Sequence, residues 1–322
     1  MREVVLPDVP YDSTAVRPTW DDLPAAVRDA ITHRLGTPVA AAASAGGGFT
    51  RAFAAVLTTD TGERMFVKAA PAQDPTAQWY AREHAITAAL PAGVRAARPR
   101  WTLAEAGYYV LCLDAVDGRV PGLPWSPGDL DATLTAWSTA ATALATPSAD
   151  LLAVGLPALP EVVRDQLSWW TEVAAGREPM PAHAPEWLPA RLTELADLEQ
   201  ALVALAGGTG MLHGDLRVDN VLIDGDGLAW LCDWTWPCLG APWFDTVTLL
   251  VSAYASGLDA DRLLEPWSPP PRGVDGVLAA MSGYWLTMAS GPPGGASPHS
   301  GQHHRFSGTQ ALAWLAARRR WA

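Results

Sequence analysis

Met211-Leu-His-Gly-Asp-Leu-Arg-Val-Asp-Asn-Val-Leu-Ile-Asp224 is the stretch on which the fold turns. His213, Asp215 and Asn220 stand between an apolar approach and an apolar exit. Val221-Leu222-Ile223, followed by Asp224-Gly225-Asp226-Gly227, is a hairpin signal, because Asp-Gly pairs suit the positive φ of a tight turn. Leu228 to Cys232 reads as the return strand, and it delivers Asp233. A strand pair thus brackets a loop carrying Asp215 and Asn220, and the next strand presents a third oxygen ligand. An Asp-Asn pair alone is as readily a capped loop. His-Gly-Asp-x-x-x-x-Asn followed by a hairpin and an Asp is far more specific.

Phosphoryl transfer needs such an arrangement. Its transition state is loose, so a protein mainly positions reactants and neutralises charge. Mg²⁺ takes hard oxygen ligands, often one or two carboxylates plus substrate phosphates, and Asn220 and Asp233 offer such oxygens. Asp215 would then face an acceptor hydroxyl, orient it early and take its proton late, since a free Asp (pKa about 3.9) is a weak base.

The segment resembles the catalytic loop and metal-binding Asp of the aminoglycoside phosphotransferase family, which shares the protein-kinase-like fold. The motif-level resemblance spans Ala43 to Asp245, and the lobe order fits nearly the whole chain. It implies that Asp215 is the catalytic Asp, that Asn220 and Asp233 hold Mg²⁺, and that His213 braces the loop. Asp245, in Gly-Ala-Pro-Trp-Phe-Asp, matches an acid that ties this loop down; it could equally open a helix. Two features depart from the pattern or leave a choice. Trp234-Thr235 follows Asp233, without Phe-Gly and without a second acid. Arg217 stands two residues after Asp215, where protein kinases carry Lys; it either meets the γ-phosphate or substrate, or is solvated.

Upstream, Val39 to Ala45, Phe49 to Thr58 and Arg64 to Ala69 read as strands joined by Gly46-Gly47-Gly48 and by the turn Asp60-Thr61-Gly62-Glu63. No Gly-Lys-Ser/Thr follows the glycines, so this is not a Walker A loop. Between two strands, Gly46, Gly47 and Gly48 still let backbone N–H groups approach phosphates. Lys68 follows Gly48 by twenty residues on an apolar strand, and Glu83 comes fifteen later. Glu83 shares a helix face with Ile86 and Leu90, so it needs a partner. Lys68 is the natural one, with Arg82 and His84 as alternatives, and the pair resembles the kinase Lys–Glu pair on the α/β-phosphates. Tyr108 to Leu113, then Asp114 to Gly118, looks like the strand and hinge that grip adenine, with backbone near Leu113 and Ala115 doing the reading.

Helical periods mark Trp20 to Leu35, Tyr80 to Leu90, Leu134 to Leu144, Leu192 to Leu205, Phe244 to Ala255 and Thr309 to Arg320. Gly291 to Gln302, rich in Gly, Pro and Ser, reads as a surface loop, and His303 and His304, adjacent and so pointing differently, read as loop residues rather than ligands. The expected architecture is α+β and two-lobed: residues 1–116 form an antiparallel-sheet nucleotide lobe, and residues 117–322 a mostly helical lobe with the catalytic loop and acceptor site.

Composition narrows the function. At 322 residues with 49% hydrophobic and 17% charged, the chain has a real core. A net charge of −12 argues against nucleic acid and anionic lipid as partners. Cys112, Cys232 and Cys238 are too sparse for a disulfide framework, and neither a signal peptide nor an 18-residue apolar run is visible. These features read as cytoplasmic. Thirteen of the 16 tryptophans follow Gly118, although that stretch is under two thirds of the chain. Trp169, Trp170, Trp187, Trp267 and Trp285 are candidate acceptor walls, core packing accounting for most tryptophans, and Glu161, Asp165 and Glu172 could face a cation. Arg318-Arg319-Arg320 suits a helix C-terminus. The expected activity is transfer of the γ-phosphate of ATP (or GTP), with Mg²⁺, to a hydroxyl of a small molecule. The acceptor is an aminoglycoside- or nucleoside-type antibiotic, or else choline, homoserine or a sugar. An inactive nucleotide-binding module is disfavoured because Lys68, Asp215, Asn220 and Asp233 are all present.

Overall fold

The computed structural model describes residues 3–291 and 297–321. Five antiparallel strands form the first lobe: β1 (Val39–Ser44), β2 (Phe53–Thr59), β3 (Arg64–Pro71), β4 (Pro99–Glu105) and β5 (Tyr108–Asp114), in the order β1-β2-β3-β5-β4. Helix α1 (Ala25–Leu35) covers one face, where Val27 and Ile31 meet Phe53, Leu57, Met65 and Val67. Helix α2 (Pro75–Ala89) covers the other, with Tyr80 against Leu111 and Leu113.

The rest is mostly helical: α3 (Pro127–Ala143), α4 (Ala149–Ala153), α5 (Leu159–Gln166), α6 (Trp169–Ala174), α7 (Leu192–Leu205), α8 (Trp243–Ala255), α9 (Ala260–Leu264), α10 (Pro271–Ser290) and α11 (His299–Arg319). Short strands β6 (Gly118–Arg119), β8 (Val221–Asp224) and β9 (Ala229–Leu231) make one small sheet, and β7 (Gly210–Met211) pairs with β10 (Leu239–Gly240). The expected sheet lobe followed by a helical lobe is what the chain forms.

Several boundaries differ from the sequence reading, for identifiable reasons. Helix α2 begins at Pro75 rather than Tyr80, because Asp74 caps it by accepting the Thr76 N–H at 2.8 Å. Helix α3 begins at Pro127 under a Ser126 cap. Helix α1 starts only after Pro24. Strand β4 and helix α10 were not anticipated. Helix α11 starts at His299, so His303 and His304 are helical rather than loop residues, and His303 is buried. Residues 292–296 of the expected surface loop lie outside the described residues. The arginines at the end of α11 are paired: Arg318 with Asp261 and Asp275, Arg319 with Glu194 and Asp275. Among the described residues, no helix is long and apolar enough to cross a membrane.

The N-terminal segment joins the two halves. Val5 donates its N–H to Ala255 O at 2.8 Å, and the Tyr11 hydroxyl lies 2.8 Å from His303 Nδ1. Ala15 then donates to Gly46 O at 2.8 Å, behind the glycine loop.

Candidate active site

A cleft of about 1240 Å³ lies between the sheet and the helices, lined by the glycine loop, Lys68, Glu83, Asp215, Asn220 and Asp233 among others. The loop between β7 and β8 is built from its anchors outward. Asp245, fully buried in the first turn of α8, accepts the N–H groups of His213 at 2.7 Å and of Gly214 at 3.1 Å. Burial pushes its carboxyl up to about 7, although those two N–H groups pull it down. Of the two readings of Asp245, the loop anchor holds; the helix opens at Pro242 without a side-chain cap, and Asp245 lies inside its first turn. Gly214 has φ +79°, and a Cβ there would collide with the Trp236 carbonyl, so only glycine fits.

His213 is fully buried. Its Nε2 lies 2.9 Å from Cys232 O, an acceptor, so the proton sits on Nε2, and Nδ1 accepts the Asp215 N–H at 3.3 Å. Burial drops its pKa to about 4, which keeps the ring neutral. Both ring nitrogens are engaged in holding the loop and Asp233's strand together; neither is free for substrate.

Asp215 lines the cleft with about a quarter of its side chain exposed. Burial raises its carboxyl to about 7, against the opposing pull of Arg217 and of Asn220. The Asn220 Nδ2 donates to Asp215 O at 2.8 Å and Oδ2 at 3.1 Å, which leaves Asn220 Oδ1 available to a cation. Arg217 is not solvated. Its guanidinium grips Asp219 at 3.1 and 3.2 Å, approaches Asp215 at 3.4 Å, and sits 5.5 Å from the Phe49 ring at the end of the glycine loop.

Asp233 follows β9 with φ +62°, a conformation that Asp tolerates better than most side chains. Burial would raise its pKa, but Lys68, the Thr235 hydroxyl and Arg217 hold it below the ordinary value. The Thr235 Oγ1 donates to Asp233 at 2.7 Å, a second-position hydroxyl where an acid was looked for. Lys68 Nζ donates to both Glu83 oxygens at 2.8 and 2.6 Å and lies 3.7 Å from Asp233. Two carboxylates outweigh burial and hold the ammonium charged. The alternative partner Arg82 is used elsewhere, donating to the carbonyls of Thr235 and Gly155 across the cleft.

Among the described residues, no cluster of three His, Cys, Asp or Glu side chains could hold a metal by itself. One carboxylate (Asp233) and one amide oxygen (Asn220) fit Mg²⁺ that completes its shell with water and phosphate, as it commonly does. At the hinge, Leu113, Asp114 and Val116 line the cleft; Ala115 is not among the lining residues.

The acceptor-side expectations fare unevenly. Trp170 is fully buried and Trp285 nearly so, Trp267 stacks on Trp137, and Trp187 packs on Trp321, so these serve the core or its edge. Glu161 caps α5, Glu172 pairs with Arg177, and neither they nor Asp165 line the cleft. Trp79 and Trp236 do line it, 37% and 50% exposed with ring centroids 5.5 Å apart. The sequence signal for Trp236 was its position three residues after Asp233.

Comparison with known proteins agrees with this geometry. No curated protein sequence matches the chain. Among solved structures, spectinomycin phosphotransferase APH(9)-Ia in complex with ADP and spectinomycin superposes with a TM-score of 0.61 at 10% identity, covering 89% of this chain and 97% of that one. A thermostable variant of aminoglycoside phosphotransferase APH(4)-Ia, in ternary complex with AMP-PNP and hygromycin B, gives 0.60 at 14% identity, covering 92% and 98%. The macrolide 2'-phosphotransferase MphH from Brachybacterium faecium gives 0.55 at 17%, covering 89% and 97%. These likenesses establish the fold. The model of the phosphotransferase enzyme family (APH) matches residues 43–274, most of the chain and all of the cleft's motifs from the glycine loop to Asp245, and the chain therefore belongs to that family.

Proposed function

We propose that this small-molecule kinase transfers the γ-phosphate of ATP (or GTP) to a hydroxyl of a ring-bearing molecule, an aminoglycoside- or nucleoside-type antibiotic. The observation that carries the reading is the convergence of Asp215, Asn220, Asp233 and the Lys68–Glu83 pair on one cleft. Residues 1–116 form the nucleotide lobe in this account and residues 117–322 the catalytic and acceptor lobe. A nucleoside triphosphate donor and the unpaired cysteines suit a cytoplasmic site of action.

Lys68, fixed by Glu83, meets the α/β-phosphates, and the N–H groups of the glycine loop meet their oxygens. Asp233 and the Asn220 amide oxygen hold Mg²⁺, which neutralises charge on the phosphates when bound. Asp215 accepts a hydrogen bond from the acceptor hydroxyl and aims its oxygen at the γ-phosphorus. As the new O–P bond forms and the bond to the nucleoside diphosphate breaks, the hydroxyl proton passes to Asp215. A carboxyl raised to about 7 is a better proton acceptor than a free Asp, near the pH at which it must work. Arg217, between Asp215 and Asp219, stabilises the charge that gathers there. The exposed Trp79–Trp236 pair offers faces for stacking a ring, which supports ringed acceptors over short chains.

Expression in a sensitive bacterium should raise resistance to at least one hydroxylated antibiotic, and Asp215→Asn should lose it. Purified enzyme should consume ATP faster with that compound than with choline, homoserine or simple sugars. Faster turnover of one of those metabolites than of every ringed antibiotic would overturn the acceptor assignment.

A further inference from the structure

The glycine loop is held from behind by a part of the chain that the motifs do not include. Three consecutive carbonyls are bonded by one strap, residues 11–17. Ala15 N donates to Gly46 O at 2.8 Å, Arg17 Nη2 to Gly47 O at 2.5 Å, and Thr14 Oγ1 to Gly48 O at 3.2 Å. Across a planar trans peptide, the C=O of one residue and the N–H of the next point in opposite directions. Carbonyls turned to the strap therefore turn the N–H groups of Gly47, Gly48 and Phe49 away from it, toward the cleft these residues line. None of those three N–H groups has a hydrogen-bond acceptor among the described residues. The glycines are required on the strap side as well. A Cβ at Gly46 would collide with the Asp12 carbonyl, and one at Gly48, where φ is +94°, would lie 2.6 Å from Arg17 Nη2.

The strap also delivers a charge. Lys68 is neutralised by Glu83 and Asp233, Arg217 by Asp215 and Asp219, and Arg119 by Asp129. Arg17 lines the same cleft, and among the described residues it makes no ion pair. Its Nε is buried without a hydrogen-bond partner among the described residues, and its Nη2 donates to the neutral Gly47 carbonyl. Burial pulls its pKa below the ordinary value, and Tyr80 and Asp233, which line the same cleft, oppose that from beyond ion-pair distance. A largely desolvated guanidinium without a counter-anion is costly, and a phosphate is the group whose geometry its fork matches best.

We propose that Arg17 is a phosphate-binding residue for the nucleotide, presented by a strap that also aims the glycine-loop N–H groups. The proposal rests on the assignment of this cleft to the nucleotide. The strap comes from before β1, so the phosphate site draws on three separate stretches of chain: the strap, the glycine loop and Lys68.

Calorimetry with Mg·ATP and with adenosine tests it on wild type and Arg17→Gln, a variant that keeps a donor for Gly47 O but drops the charge. Loss of a charged hydrogen bond to phosphate should weaken Mg·ATP by about 10- to 100-fold. Adenosine affinity should not change. An unchanged Mg·ATP affinity, or an equal loss for adenosine, overturns the proposal, the second outcome marking Arg17 as a purely structural support of the loop. Wild-type protein that binds no Mg·ATP would instead overturn the nucleotide assignment itself. A measurement on wild type covers the case in which the variant does not fold. Phenylglyoxal labelling of Arg17, mapped by mass spectrometry, should be suppressed by Mg·ATP and not by adenosine; equal labelling under both conditions also refutes the proposal.

Discussion

Asp215→Asn should abolish turnover and, above neutral pH, make the protein more stable. The reasoning starts from the Asp215 carboxyl, raised from 3.8 to about 7, mainly by burial. An acid whose folded pKa is raised imposes a penalty on the fold. That penalty is absent below its unfolded value, grows between the two values and is complete above the folded one. The full shift corresponds to about 4 kcal/mol. The side chain is 26% exposed and Arg217 is nearby, so the gain from removing its charge should be about 2–4 kcal/mol. Asparagine keeps the size and an acceptor for Asn220 Nδ2, so the loop should retain its shape. Denaturant unfolding of both proteins without nucleotide, from about pH 4 to about pH 8, reads the effect. The two curves should meet near the acid end, separate as pH rises through the interval, and run parallel above about pH 7. A variant less stable than wild type at the alkaline end, or a difference independent of pH, would refute the claim that the fold strains to hold this carboxylate. The same titration should appear in catalysis: wild-type kcat/KM should rise with pH through about 7 as Asp215 ionises.

Asp233→Ala should weaken nucleotide binding in the presence of Mg²⁺ more than in its absence; calorimetry under both conditions showing the same Mg²⁺ dependence as wild type would remove Asp233 from the metal site. Asp245→Ala leaves the N–H groups of His213 and Gly214 without their charged acceptor, so unfolding should show a loss of about 3–5 kcal/mol, and kcat should fall more than KM rises. Trp236→Ala, at an exposed position, should leave nucleotide affinity unchanged and raise KM several-fold for a ringed acceptor; an unchanged KM would exclude it from the acceptor site.

The Asp215–Asn220–Asp233 arrangement was legible because a hairpin has a fixed register. Once Val221 to Ile223 pairs with Ala229 to Leu231, the residues on either side must meet. Lys68 and Glu83 were legible for a different reason: a carboxylate on an apolar helix face demands a cation, and the strand just before that helix offered one. Helix α10 escaped because it is buried nearly all round, from Gly273 to Leu286, so no single apolar stripe marks it. The first half of α11, His299 to Gly308, is too polar and glycine-rich to look helical, and its packing against α10 decides the matter. The glycines were assigned to phosphate approach, but their Cβ side faces residues 11–17, a contact about thirty residues away that no local pattern discloses. The tryptophans divided by burial rather than by chain position, which is why Trp170, Trp187, Trp267 and Trp285 went to the core or its edge while the exposed Trp79 and Trp236, on either side of Gly118, reached the cleft.

The central claim is that this chain moves phosphate from a nucleoside triphosphate to a hydroxyl through Asp215. The most direct measurement is mass spectrometry of acceptors incubated with Mg·ATP and either wild-type protein or Asp215→Asn, with the nucleoside diphosphate formed measured in the same samples. The account predicts one phosphate added to a ringed, hydroxylated acceptor, in step with nucleoside diphosphate, by wild type alone. Equal phosphorylation by the folded Asp215→Asn protein, or nucleotide hydrolysis with no phosphorylated acceptor in a broad panel, would contradict it.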